Sequence, residues 1–96
     1  MLEVTAFVWM WNPGKGSWHF LTIPPEQAVE IKLQSVGMRG GFGSVKVSVQ
    51  IGQTRWQTSV FPDRKTGGYI LPIKADVRRR EDIAAGDEVT LTLDLA

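Results

Sequence analysis

Hydrophobic and polar residues alternate over residues 2–11, with Leu2, Val4, Ala6, Val8 and Met10 on one side and Glu3, Thr5, Phe7, Trp9 and Trp11 on the other. A period of two predicts a β-strand, here one whose second face turns aromatic near its end. Asn12-Pro13-Gly14-Lys15-Gly16 is a turn signal. Residues 17–23, rich in aromatic and β-branched side chains, form the expected returning strand. Pro24-Pro25 stops that strand, because proline brings no N–H to a ladder, and proline also suits the first turn of a helix. A short helix is therefore predicted over residues 26–35, plugging one end of a barrel. Two apolar faces are open to it, Ala28, Ile31 and Ser35 or Val29, Leu33 and Val36.

Gly37, Gly40, Gly41 and Gly43 make a glycine-dense loop before the cleanest alternation in the chain, Val45, Val47, Val49 and Ile51 against Lys46, Ser48 and Gln50. Gly52-Gln53 has the form of a two-residue hairpin turn, so residues 54–61 are the expected partner strand. Residues 62–68 read as a polar, basic loop and residues 69–73 as a short strand, which Pro72 places at an edge or a strand end. Asp76 is expected to cap one helical turn over residues 77–83. After Gly86-Asp87, residues 88–95 form a last strand with Val89, Leu91, Leu93 and Leu95 facing in. Many short strands joined by turns predict a mainly β chain, a small closed barrel with one or two short capping helices, as a single domain over residues 1–96.

The length of 96 residues supports one small core, and four Trp, four Phe and one Tyr supply the large apolar area it needs. No apolar run is long enough to span a bilayer, and no basic segment followed by an apolar run marks a secretory leader. With no Cys there is no disulfide framework, thiolate metal site or cysteine nucleophile. The expectation is a cytoplasmic protein, without a membrane partner, held together by core packing.

Charge is spread unevenly. From Arg39 to Arg80 nine cations face two carboxylates, a balance of +7, while elsewhere Lys15 and Lys32 face eight carboxylates, a balance of −6, and the whole chain carries +1. Such asymmetry fits either a basic face for an anionic partner or acidic and basic strands paired within the sheet. The second is preferred, since blocks in sequence need not form patches.

The usual catalytic groups are missing. His19 is the sole histidine, flanked by Trp18 and Phe20, whereas a zinc site wants several His or Cys ligands and a hydrolytic triad wants a serine in a nucleophile elbow. A structural or surface role is expected for it. The carboxylates show no spacing of an acid/base pair. The stretch 37–44 lacks the Lys-Ser/Thr ending and following helix of a phosphate loop. Arg39-Gly40-Gly41-Phe42-Gly43-Ser44-Val45 has part of the central motif of RNA-recognition domains, but Ser44 and Val47 stand where stacking aromatics are needed. No enzyme and no cofactor are expected.

Trp18-x-Phe20-x-x-Ile23-Pro24, Gly41-Phe42-Gly43-Ser44-Val45-x-Val47, Ile51-Gly52, Trp56-x-Thr58-Ser59-x-Phe61-Pro62, Tyr69-x-Leu71-Pro72-x-Lys74, Val77-Arg78 and Gly86-Asp87-x-Val89 together resemble the bacterial and archaeal domain-of-unknown-function family nineteen-oh-five over nearly the whole chain. The resemblance implies a double-split β-barrel, distantly similar to AbrB and MazE-type regulators. It also implies members that stand alone or are fused to a second domain similar to bacteriocin-protection, YdeI/OmpD-associated proteins; with the chain ending at Ala96, that second domain is not expected here. No activity and no catalytic residue are carried over by it.

Three functions follow as expectations. The first is a non-catalytic module for an anionic ligand, with Trp18, Phe20 and Trp56 as an apolar floor and Arg39, Arg55, Lys65, Lys74 and Arg78 fixing the anion at the rim; the simpler alternative puts the aromatics in the core and the cations in solvent. The second, by analogy with AbrB-like barrels, is nucleic-acid binding through Arg78, Arg79, Arg80, Arg64 and Lys65; it is not favoured, because the chain is near neutral and fold analogy alone is weak. The third is a structural or interaction role, with Trp9 and Trp11 sharing a face with Phe7 that is either exposed for a partner or a second copy of the chain or buried against Pro24-Pro25.

Overall fold

The computed structural model describes residues 1–14, 16–37, 40 and 43–96. The chain runs β1 (Leu2–Phe7), β2 (Trp9–Trp11), β3 (Trp18–Ile23), α1 (Pro25–Gln34), β4 (Val45–Ile51), β5 (Thr54–Pro62), β6 (Tyr69–Pro72), α2 (Ala75–Glu81) and β7 (Glu88–Leu95). The strands lie in the order β1-β7-β4-β5-β6-β3-β2, all neighbours antiparallel. Because β2 continues from β1, this sheet curls into a nearly closed, mainly β barrel with two short helices.

Two strands pass from one half of the barrel to the other. The expected strand over residues 2–11 divides at Val8: β1 pairs with β7 and β2 pairs with β3. At the crossing, Val8 N–H donates to the Asp87 carbonyl (2.9 Å) and its own carbonyl accepts from Gly86 N–H (2.8 Å). Val8 stays buried while the hydrogen-bonding partner changes, and Met10, the next residue on the same side, is exposed. The second crossing is β5, whose residues Thr54 through Val60 pair with β4 and whose Phe61 and Pro62 pair with β6.

The interior is filled from the alternating faces as expected, with Val47 and Val49 of β4, Val60 of β5, Leu21 and Ile23 of β3, Leu71 of β6 and Leu91 and Leu93 of β7 all buried. Tyr69 is the largest fully buried side chain. Leu95, expected to face in, is only partly buried and packs at the margin.

α1 lies beside the start of β1 and the end of β7; its Gln27 side chain donates to the Glu3 carbonyl (2.6 Å). It buries Ala28, Ile31 and the succeeding Ser35, and leaves Val29, Leu33 and Val36 exposed, which settles the choice of faces. Pro25 opens it, Glu26 stands in the first turn and Lys32 in the last, charges that suit the helix dipole. α2 lies toward the opposite end and differs from expectation. It begins at Ala75 and has no side-chain cap; Asp76 sits inside the first turn, where its carboxylate meets Arg79 and Arg80, each at 3.5 Å. Asp82 adopts a left-handed conformation and ends it.

Candidate binding cleft

The barrel wall opens where β5 and β6 part. Ile73 N–H donates to the His19 carbonyl at 2.9 Å, so every second residue of β6 turns its backbone groups toward β3. In an antiparallel strand the intervening residues, Ile70 and Pro72, turn theirs the other way, toward β5. Ile70 pairs with Phe61. Pro72 has no N–H to give, and the pairing with β5 goes no further. Pro72 is thus the strand end expected from the sequence, and it is also the physical cause of the opening.

Into this gap face Trp18 and His19 from β3, Trp56 and Thr58 from β5, Ile73 and Lys74 from the β6–α2 junction, and Arg78 from α2, around a cleft of about 330 Å3. Trp56 is nearly buried and forms the inner wall, whereas Trp18 is 56% exposed and forms the outer lip. Arg78 is half-buried; its Nε donates to the Ile73 carbonyl (3.2 Å), which fixes the guanidinium over the gap. Among the described residues neither Lys74 nor Arg78 has a carboxylate partner, and no carboxylate lines the cleft.

His19 completes the arrangement. Its Nδ1 is buried and has no hydrogen-bond partner among the described residues. Desolvation, joined by the positive charge of Arg78, holds the imidazole below its ordinary value of 6.5, so the ring is neutral at neutral pH. The cleft therefore combines aromatic walls, two cations and one neutral polar group. Among the described residues no group of three or more His, Asp or Glu side chains is placed to hold a metal ion.

Of the side chains expected at a binding site, Trp18, Trp56, Lys74 and Arg78 come together here. Phe20 lies on the outer surface of β3 instead, its ring 4.9 Å from that of Trp9. Arg55 stands across from Gln50 at the far end of the β4–β5 hairpin, and Lys65 lies in the β5–β6 loop with its N–H on the Asp63 carboxylate (3.2 Å). Arg39 is outside the described residues. His19, Ser17, Gln57 and Thr58 join the lining without having been singled out as ligand-binding.

Two other hollows are less suited to a ligand. The one beside α1 has room for about 20 Å3, the size of a single water. A wider one between α2 and β7 is rimmed by Glu81, Asp82, Asp87 and Glu88, but Glu81 already accepts from Thr54 (2.6 Å) and Asp87 from Ala84 N–H (2.8 Å).

The fold and cleft define a small antiparallel β-barrel with a basic, aromatic-walled opening in its side. The chain belongs to the DUF1905 family, described as a domain of unknown function, whose family model matches residues 5–93. That span includes every residue of the cleft. No curated protein matches the chain. No helix among the described residues is long and apolar enough to cross a membrane.

Proposed function

We propose that this barrel is a non-catalytic binding module whose cleft takes a small organic anion with a flat apolar body, such as an aromatic carboxylate. The observation that carries this reading is that, among the described residues, no carboxylate lines the cleft that Lys74 and Arg78 share with the Trp56 wall. A cation pair left without counter-charge favours an anion, and aromatic walls favour an apolar body.

The nucleic-acid alternative rests on likeness to AbrB and MazE-type barrels, and the two strands that cross between the halves of the barrel fit the double-split closure of that reading. Its basic segment is partly neutralised, however, since Arg79 and Arg80 both meet Asp76. The organic anion is therefore preferred.

Calorimetric titration with indole-3-carboxylate, inorganic phosphate and a single-stranded oligonucleotide tests the choice. The carboxylate is expected to bind with Kd below about 1 mM. Losing one charge-assisted contact of about 1.5–3 kcal/mol in Lys74→Ala or Arg78→Ala should weaken it roughly tenfold to a hundredfold. Equal affinity in both variants and the parent chain removes the cleft as the site, and tight, salt-sensitive binding of the oligonucleotide alone restores the other reading.

A further inference from the structure

The outer surface of the β2–β3–β6–β5 half of the barrel carries an apolar face that the barrel itself does not cover. Strand register places Trp11 across from Trp18, Trp9 across from Phe20 and Phe20 across from Pro72. It likewise places Thr22 across from Ile70, and Ile70 across from Phe61. Directly opposed residues share a face, and their neighbours Leu21, Leu71 and Val60 are buried on the other one. None of the residues that the register puts on this face is charged. Trp9 is 37% exposed, Trp11 55%, Trp18 56% and Phe61 43%.

We propose that this face is a self-association surface, covered by the same face of a second copy of the chain. Area supports that occupant. At roughly 200 Å2 for each large aromatic side chain, the four exposed rings leave on the order of 400 Å2 in water per chain. Two copies packed face to face bury roughly 800 Å2 from those rings alone, and the half-buried Phe20, Ile70 and Pro72 carry the total to the ~1,000 Å2 that a specific interface requires.

Chemistry points to the same occupant. A nucleic-acid strand or an anionic membrane would need cations spread among the aromatics, whereas Lys74 and Arg78 stand at one margin of this face, beside Trp18 and Pro72 in the cleft. Homodimer interfaces are the more apolar kind. A two-fold pairing uses one patch twice, so an apolar patch complements itself. The chain's net charge of +1 sets little repulsion between copies. Trp9 is ready for desolvation, because its indole N–H already donates to the Thr22 hydroxyl at 2.8 Å.

Sedimentation equilibrium of the full chain from about 1 μM to about 500 μM tests the proposal. The expected result is a concentration-dependent rise from the 10.7 kDa of one chain toward twice that mass. Trp11→Lys, at a position exposed enough to keep the fold, should raise the dimer Kd at least tenfold. Leu33→Lys, on the exposed side of α1, should leave it unchanged; circular dichroism of each variant verifies folding. A monomer throughout the range overturns the proposal. So does a dimer that survives Trp11→Lys, or one that Leu33→Lys dissociates.

Discussion

Replacing Gly68 with Ala should be far more damaging than its backbone conformation suggests. Gly68 is buried, and it lies outside the left-handed region. A Cβ added there would collide with the Ile23 carbonyl oxygen and stand 3.1 Å from the carbonyl carbon and 3.3 Å from that of Pro24. These are backbone atoms of the chain leaving β3, and Ile23 is itself paired to Tyr69 of β6. Nothing flexible can yield, so the β3–β6 seam has to shift. Overpacking of this kind costs about 1–3 kcal/mol, and a forced backbone movement belongs at the upper end. The gain from stiffening the unfolded chain, about 0.4–1 kcal/mol, leaves a net loss of about 2–3 kcal/mol. For a domain of this size that corresponds to a fall in Tm of roughly 10–20 °C. Gly86→Ala is the matched comparison. Gly86 has φ 94°, but its Cβ would meet nothing within 4 Å, so only the left-handed strain of about 1–2 kcal/mol applies. Calorimetric melts should rank Gly68→Ala below Gly86→Ala, and amide exchange at Ile73, which donates to His19, should quicken in the former. A Gly68→Ala melt within about 4 °C of the parent, or above that of Gly86→Ala, refutes the reasoning.

Thr54→Val strips the 2.6 Å hydrogen bond from the partly buried Glu81 carboxylate; urea denaturation should show a loss of about 1–3 kcal/mol, and a change below about 0.5 kcal/mol would mean that water replaces the hydroxyl freely. Trp9→Phe keeps the ring contact with Phe20 and loses the bond to Thr22, so its cost should stay near 0.5–1.5 kcal/mol, while Trp9→Ala should cost about 0.5–1.5 kcal/mol more for the aromatic pair. For His19 the folded state holds the proton less tightly than the unfolded state, because its value lies below 6.5. Between the folded value and 6.5 the unfolded chain binds more protons, so this group makes stability rise with pH and withdraws that stability as the solution is acidified through the window. Subtracting the pH profile of His19→Gln from that of the parent chain isolates this contribution; a flat difference across the window contradicts the assignment.

Elements whose signals are local were legible in the sequence. β4 and β7 each carry an uninterrupted alternation, and Gly52, with φ 56°, supplies the turn that its position before Gln53 announces and that makes β5 the partner strand. The crossing at Val8 was not legible for a physical reason. Val4 before the crossing and Val8 at it are buried on one side of the chain, so the alternation of residues 2–11 runs through the change of partner, and only beyond it does Met10 on that side become exposed. The face of α1 was open because Ala28, Ile31 and Ser35 compete with three larger apolar residues, and the decision is made by packing against the barrel, not by propensity. Asp76 had the right residue type for a cap, but a helix starting two residues earlier turned it into a partner for Arg79 and Arg80.

The same distinction governs the candidate site. Trp18, Trp56, Lys74 and Arg78 were selectable by residue type alone, and so were Arg55 and Lys65, which lie elsewhere. What separates the two groups is the parting of β5 from β6, and that depends on which neighbour Pro72 turns its missing N–H toward. A proline at a strand end is visible in any sequence. Its orientation between two neighbours is set by the parity of the β3–β6 register, which the hydrogen bond from Ile73 to His19 fixes. Had Pro72 stood one residue earlier or later, its missing donor would have faced β3 instead. The ladder with β5 could then have run on past Ser59, closing the wall over Trp56 and leaving Arg78 on a continuous surface. The cleft is thus a consequence of one imino acid in one phase of one strand, and the cations and aromatics around it gain their joint meaning from that phase.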